Sequence, residues 1–243
     1  MANQIALILG VGAEDGVGGA LCKRAAQDGY HVVAVGRTEE KLQKIAGVIN
    51  SNGGNAGYFV VDLTKESEIV TLFRTIDGMT EKLAFVCYNA GNAFRCETTE
   101  MTAAFFEEAW RICCLGGFVS GREAAARLGS YGSGTIVFTG ATASLRARPP
   151  FLAFASAKFG LRAVASGLAR EYGPKGVHVS HVIIDGGING DVIRNKSPER
   201  IKSAGENGML NPAAIAETYW QLHLQHPSAW SFEVDLRPFK EVF

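Results

Sequence analysis

The sequence lacks an excess of charge of either sign. Its 243 residues carry 24 lysine and arginine side chains against 24 aspartate and glutamate side chains, so the formal net charge is zero. Clustered Lys and Arg provide most of the affinity of nucleic-acid-binding proteins and of polybasic membrane anchors. The balance therefore argues against nucleic-acid and membrane partners, and a small molecule is the expected substrate.

The sequence also lacks the cysteine patterns of disulfide-bonded and zinc-binding proteins. Its five cysteines are odd in number, show no CxxC spacing and include the adjacent pair Cys113 and Cys114. We therefore expect free thiols in a reducing cytosol, no metal site and a cytoplasmic protein. No cation precedes Lys23, which argues against a secretory signal, and the longest uncharged span, Leu128–Leu145, is too broken by Gly, Ser and Thr for a membrane helix.

What is present is a regular alternation of short apolar runs and helical patterns. The apolar runs are Gln4–Gly10, Tyr30–Gly36, Tyr58–Asp62, Leu83–Tyr88, Thr135–Gly140, Val177–Ile184 and Ser231–Leu236. Helical periodicity covers residues 17–29, 38–50, 65–78, 101–129, 152–172 and 212–225. This alternation predicts an α/β fold with three layers, in which helices cover both faces of a doubly wound parallel sheet of about seven strands (a Rossmann fold). We expect one domain over residues 1–243, with the polar segment 189–208 as a substrate lid.

The first predicted strand runs into a glycine-rich loop and then a helix. Gly12, Gly16 and Gly18 would allow the pyrophosphate of a dinucleotide to approach the amino end of that helix. Glu14 and Asp15 lie in the same loop, and because like charges repel they would either point away from the phosphates or weaken binding.

The second strand ends in Gly36-Arg37, with no acidic residue to bind a ribose 2′-hydroxyl. An arginine at this point can hold the 2′-phosphate of NADP, so the sequence favours NADP over NAD, although NAD stays possible.

These residues resemble the short-chain dehydrogenase/reductase superfamily, in its single-domain form. The spacing Gly12-x-x-x-Gly16-x-Gly18 is that family's form of the loop, Val61-Asp62-Leu63 matches its adenine-contacting segment, and Asn89-Ala90-Gly91 matches its turn after the fourth strand. Lys158 matches the lysine of its Tyr-x-x-x-Lys pair. The resemblance implies the following cofactor-binding residues: Gly12, Gly16, Val17, Gly18, Arg37, Asp62, Leu63, Asn89, Ala90, Gly91, Lys158, Gly186 and Ile188.

The chain departs from this family at the residues that carry out its chemistry. Phe154 stands at the position of the catalytic tyrosine, Ala141 at that of the serine and Cys113 at that of the helix asparagine. The Pro-Gly after the sixth strand reads Asp185-Gly186, and Gly190 replaces a usual threonine. In the family the tyrosine donates a proton to a carbonyl oxygen while the serine hydrogen-bonds to it, and neither Phe nor Ala can do so.

Other side chains could take over part of this chemistry. Besides Lys158 and Phe154, the predicted catalytic positions are Thr142 and Asp185, with Cys113 and His181 as weaker candidates; each also has an ordinary structural explanation. Arg146 and Arg148 would rim the substrate mouth, where they would favour an anionic substrate or remain solvated.

Two function classes stay open. One is an NADP-dependent oxidoreductase with altered chemistry, and the other is a catalytically silent dinucleotide-binding protein with a regulatory or assembly role. The resemblance also implies a homodimer or homotetramer, joined through helices 101–129 and 152–172, which are rich in Gly, Ala and Ser. The aromatic tail, which comprises Trp230, Phe232, Phe239 and Phe243, would dock on its own core or in a second interface.

Overall fold

The computed structural model describes residues 4–241, so Phe243 of the aromatic tail lies outside the described residues. Seven parallel strands form one sheet in the order β3-β2-β1-β4-β5-β6-β7. The strands are β1 (Gln4–Leu9), β2 (His31–Gly36), β3 (Asn55–Val60), β4 (Lys82–Tyr88), β5 (Gly134–Thr139), β6 (Val177–Ile184) and β7 (Glu233–Leu236). The α/β class and the doubly wound parallel sheet are confirmed.

Helices cover both faces of the sheet. They are α1 (Val17–Gln27), α2 (Glu39–Ser51), α3 (Glu66–Asp77), α4 (Ala103–Trp110), α5 (Gly116–Tyr131), α6 (Leu152–Tyr172), α7 (Asp191–Lys196), α8 (Pro198–Ala204) and α9 (Pro212–His223). One apolar cluster contains the inner faces of α3, α5 and α6. A second contains those of α1, α2 and α9, where Trp220 is fully buried. The sheet separates the two clusters, which gives the predicted three layers.

The sequence-based boundaries differ most from the structure in three places. β3 begins at Asn55 rather than Tyr58, because an edge strand is only half buried and its apolar pattern is weak. The predicted helix 101–129 is two α-helices joined by a π-helical turn at Arg111–Leu115. The segment 189–208 contains α7 and α8, whose few apolar residues gave no helical signal.

The π-helical turn has an identifiable partner in the sheet. The hydroxyl of Tyr88, at the end of β4, donates to the carbonyl oxygen of Ile112 at 2.6 Å. A π-turn widens the helix, and such turns occur often at functional sites. This one contains Cys113, which is fully buried.

Candidate functional site

The site lies where β1, β4 and β5 end, and its floor is made by the turns that follow β1 and β4. Gly10 has a φ of +92°, and a Cβ there would lie 2.3 Å from the nitrogen of Ala90. A Cβ on Gly18 would lie 3.1 Å from the oxygen of Gly10, whereas one on Gly12 would meet no atom within 4 Å. Gly10 and Gly18 are therefore packed against neighbouring backbone, whereas the space beside Gly12 is free. A cradle for a phosphate group requires such free space beside the backbone of the loop.

Asn89 joins the ends of three strands. Its Nδ2 donates to the oxygen of Gly10 at 3.0 Å, and its Oδ1 accepts from the Thr139 hydroxyl at 3.1 Å. The Tyr219 hydroxyl donates to Thr139 Oγ1 at 3.0 Å and completes the network. Asn89 is thus a structural brace for the turn Asn89-Ala90-Gly91. Tyr219 was not among the predicted site residues, because nothing in the sequence links the strand end at Thr139 to a helix 80 positions away.

Lys158 is 4% exposed, and its Nζ donates to the carbonyl oxygen of Thr139 at 2.7 Å. Burial lowers the pKa of this ammonium group below its usual value, although the Cys113 and Cys114 thiols act in the opposite direction. An ammonium group has three donors, so capacity remains for hydroxyl acceptors such as those of a ribose. The buried lysine and the open cradle at Gly12 fit a dinucleotide.

Phe154 lies one helical turn before Lys158, and its ring centroid is 5.7 Å from Lys158 Nζ. The ring packs on an apolar cluster formed by Cys113, Cys114 and Ala157, together with Phe94 and Ile112. Burial raises the pKa of the Cys113 thiol, which is hydrogen-bonded to the oxygen of Asn92 at 3.8 Å. The wall beside Lys158 is therefore apolar at the position where the sequence predicted the loss of a proton donor.

The structure brings Thr142 and Asp185 together, and they bond to each other. The Thr142 hydroxyl donates to the Asp185 carboxylate in a short hydrogen bond. Asp185 is 4% exposed, and its oxygens lie 3.0 Å from Arg237 Nη2 and 3.7 Å from Arg146 Nη2. Arg146 thus faces Asp185, while Arg148 is exposed.

Arg37 and Asp62 occupy the ends of β2 and β3. Arg37 is exposed, and its charge reaches Asp62. Asp62 Oδ1 accepts from the nitrogen and the hydroxyl of Thr64, at 3.0 and 2.7 Å. Burial opposes the charge on Asp62, but the hydrogen bonds from Thr64 outweigh it and lower the pKa of the carboxyl. Leu63 is buried beside it.

The two acidic residues of the glycine-rich loop are paired with cations. Glu14 Oε1 lies 2.7 Å from Lys23 Nζ and Glu14 Oε2 lies 3.2 Å from Lys44 Nζ, and the hydrogen bond from Lys23 lowers the pKa of Glu14. Asp15 pairs with Arg194 of α7. Both carboxylates thus have cationic partners in the structure.

The segment 189–208 begins directly on this loop. After β6 the chain passes through Gly186 to Ile188, which bridges Leu210, so the two ends of the segment are held together. A Cβ on Gly190 would lie 3.4 Å from the oxygen of Asp15. Ile188 therefore lies at the base of the segment and Gly190 beside the cradle, while Gly186 lies against Pro238.

His181 is fully buried on β6, between β5 and β7. Its Nε2 lies 3.3 Å from Ser144 Oγ and its Nδ1 lies 3.0 Å from Glu233, which pairs in turn with Arg162. Burial lowers the pKa of His181 to about 4 despite Glu233. Ser144 is 0% exposed, so this chain of contacts is closed to a substrate and acts as a structural link.

The small residues of α5 and α6 pack within the chain. Gly117 and Gly121 lie against Leu161 and Leu168 of α6, and Ala124 and Ala125 are fully buried. They account for close packing of these helices on each other, and the oligomer stays a prediction. In the tail, Trp230 stacks on His178 and Phe232 packs on the core, while Phe239 is 76% exposed.

Within residues 4–241, no helix has the length and the apolar character that a bilayer crossing requires.

Comparison with known proteins gives a consistent result. A family model described as short chain dehydrogenase matches residues 4–200. A crystal structure of a short-chain dehydrogenase from Rhodopseudomonas palustris is 37% identical and superimposes with a TM-score of 0.84, covering 98% of this chain and all of that one.

Two further matches are more distant. The uncharacterized oxidoreductase YuxG of Bacillus subtilis (strain 168) is 29% identical over 89% of this chain, which spans only 31% of the length of YuxG. A metagenomic short-chain oxidoreductase, solved in complex with NADP, is 22% identical with a TM-score of 0.83 over 98% of each chain. At that level of identity the likeness shows the fold alone.

Proposed function

This chain belongs to the short-chain dehydrogenase family, and on that premise we propose that it is an NADP-dependent oxidoreductase whose substrate needs no tyrosine proton. NADPH, when bound, supplies a hydride. The observation that carries the proposal is the contrast around Lys158: the buried ammonium group is kept, while the side chain one turn before it is a phenylalanine.

On the cofactor side, the residues favour a phosphorylated dinucleotide. Gly12, Gly16, Val17 and Gly18 would receive the pyrophosphate, and Arg37 would hold a 2′-phosphate. The other proposed contacts are Asp62 and Leu63 at the adenine, Asn89, Ala90 and Gly91 beside the nicotinamide, Lys158 at its ribose, and Gly186 and Ile188 below the segment. The metagenomic relative that was solved with NADP supports this choice by analogy of fold.

On the substrate side, the polar groups near the pocket are already engaged. Thr142 directs its proton to Asp185, and Asp185 is held between two arginines, so neither offers a ready proton to a carbonyl oxygen. A positioned general acid usually contributes about 10²–10⁴-fold in rate. We therefore propose a substrate that is already polarised, such as an iminium ion or an activated carbon–carbon double bond, bound against the apolar wall at Phe154. Hydride transfer alone reduces the iminium ion, whereas the carbanion left by hydride addition to the double bond would take its proton from water.

The alternative is a catalytically silent dinucleotide-binding protein. The same engagement of Thr142 and Asp185 favours it, because a regulatory protein needs the cradle but no acid. A measurement of turnover distinguishes the oxidoreductase from the silent dinucleotide-binding protein.

The test combines binding and turnover. NADPH and NADH are titrated by fluorescence against wild type and Arg37→Ala, with Arg148→Ala as an exposed-arginine control. We expect NADPH to bind more tightly, and Arg37→Ala to lose about tenfold in NADPH affinity with little change for NADH. Equal affinities in wild type would contradict the NADP assignment.

Turnover is then measured as NADPH oxidation with ketones, cyclic imines and activated alkenes. We expect reduction of an imine or an alkene and almost none of simple ketones. Dinucleotide binding without turnover of any of the three classes would favour the silent protein.

A further inference from the structure

Asp15 creates an electrostatic problem for the proposed dinucleotide site. It lies in the glycine-rich loop, one residue before Gly16, where a pyrophosphate would carry negative charge of its own. Its side chain is 38% exposed, so the repulsion is screened only in part. A loop that binds an anion and keeps a carboxylate needs a cation that offsets it.

Arg194 meets this need from the segment 189–208. One guanidinium nitrogen, Nη1, pairs with the Asp15 carboxylate. The other two donate to Asn189: Nε to its side-chain oxygen at 3.1 Å and Nη2 to its backbone oxygen at 3.0 Å. Three acceptors thus fix a planar donor group, which is the geometry in which arginine loses least entropy per hydrogen bond.

The contact also has a mechanical consequence. Gly190 lies against Asp15 and Gly16, and the Ile188–Leu210 bridge closes the far end of the segment. Arg194 adds a side-chain contact between α7 and the loop. We call Asp15, Asn189 and Arg194 the loop tie.

We propose that Arg194 is a positioning residue for the cofactor: it cancels the charge of Asp15 at the pyrophosphate and holds the segment 189–208 over the bound dinucleotide. The inference rests on the proposed dinucleotide binding. It predicts that the cost of losing Arg194 comes mainly from the carboxylate left behind.

The test is a double-mutant cycle with NADPH as the probe, using Arg194→Gln, Asp15→Asn and the double variant. Arg200→Gln is the matched control, since Arg200 is exposed on α8 of the same segment. We expect Arg194→Gln to weaken NADPH binding about fivefold, the size of one half-exposed charge contact. The double variant should recover most of that loss, and Arg200→Gln should match wild type.

Two further readouts localise the effect. Adenosine 2′-phosphate, which carries no pyrophosphate, should bind wild type and Arg194→Gln equally. Trypsin should cleave at Lys196 and Lys202 faster in Arg194→Gln than in Arg200→Gln. The two variants can be compared directly, because each substitution removes one tryptic site.

Unchanged NADPH affinity in Arg194→Gln would overturn the inference and leave the proposed function intact. So would a double variant that stays as weak as Arg194→Gln, because Arg194 would then act without Asp15. A wild type that binds neither NADPH nor NADH would instead overturn the proposed function, and this inference with it.

Discussion

Restoring the two missing donors should create carbonyl reduction in this chain. The variant is Phe154→Tyr combined with Ala141→Ser. A tyrosine at 154 would take the place of the Phe154 ring, whose centroid is 5.7 Å from Lys158 Nζ. Because Lys158 is 4% exposed, its charge is poorly screened and would favour ionisation of a nearby phenol.

The serine would enter a loop that is already fixed. The nitrogen of Ala141 donates to Ser144 Oγ at 3.1 Å, and Ser144 is fully buried. A hydroxyl added at 141 therefore starts from a backbone that is held in place.

The magnitude follows from the roles of the two groups. A general acid contributes about 10²–10⁴-fold and an oxyanion donor about 10²–10³-fold. Both groups serve one oxygen and act as a unit, so each single variant should gain little, less than about tenfold. The double variant should gain at least about 100-fold in kcat/KM for ketones. Cys113 and Gly190 remain unrepaired, so a full family rate is not expected.

The assay is NADPH oxidation with a series of ketones. Phe159→Tyr is the control for the phenol, because Phe159 lies on the same helix and is 42% exposed. Ala147→Ser is the control for the hydroxyl, since Ala147 is an exposed residue of the same loop. Neither should alter the rate.

Two results would refute the reasoning. Strong ketone reduction by wild type would mean that another residue is the acid, and Asp185→Asn and Thr142→Val would then be the first variants to examine. A double variant that binds NADPH but reduces no ketone would mean that the pocket admits no carbonyl substrate, which favours the silent protein.

Three other predictions concern stability and assembly. Gly116→Ala should lower the free energy of unfolding by about 3 kcal/mol in urea denaturation, since its Cβ would lie 2.2 Å from the Leu63 oxygen. Gly47→Ala, whose Cβ meets no atom within 4 Å, should instead raise the free energy of unfolding by about 0.5 kcal/mol. Equal effects of the two substitutions would contradict the packing described. Burial lowers the pKa of His181 and of His223 to about 4. As the pH falls, these histidines are therefore protonated in the unfolded chain before they are protonated in the folded chain. Each should lower the free energy of unfolding by about 1.4 kcal/mol per pH unit as the pH falls from about 6.5 towards 4. A flat stability profile between pH 7 and about 5 would show that these two residues are not held as neutral imidazoles in the folded chain. Light scattering should give two or four times the chain mass of 25.9 kDa. Phe118→Arg should reduce the measured mass, because Phe118 is an exposed apolar residue on α5 (41% exposed) where the subunits are predicted to meet. A wild-type monomer at micromolar concentration would exclude the oligomer.

The sequence by itself determined the alternation of strands and helices, because buried parallel strands and amphipathic helices impose different periods on apolar residues. β6 and α6 have the predicted limits, Val177–Ile184 and Leu152–Tyr172. It also determined the glycine-rich loop and the absence of hydroxyls at Phe154 and Ala141, since the side chain at a position is a chemical fact that no fold can alter.

The tertiary structure alone decided which polar groups meet. Asp185 is held by Arg237, which lies 52 positions later, and Asp15 is paired with Arg194, 179 positions later. Local patterns carry no information about such pairs, because they depend on how strand ends and loops converge at one edge of the sheet. For the same reason only the structure shows that Gly117 and Gly121 bring α5 against α6 of the same chain, while the contact between subunits stays a prediction.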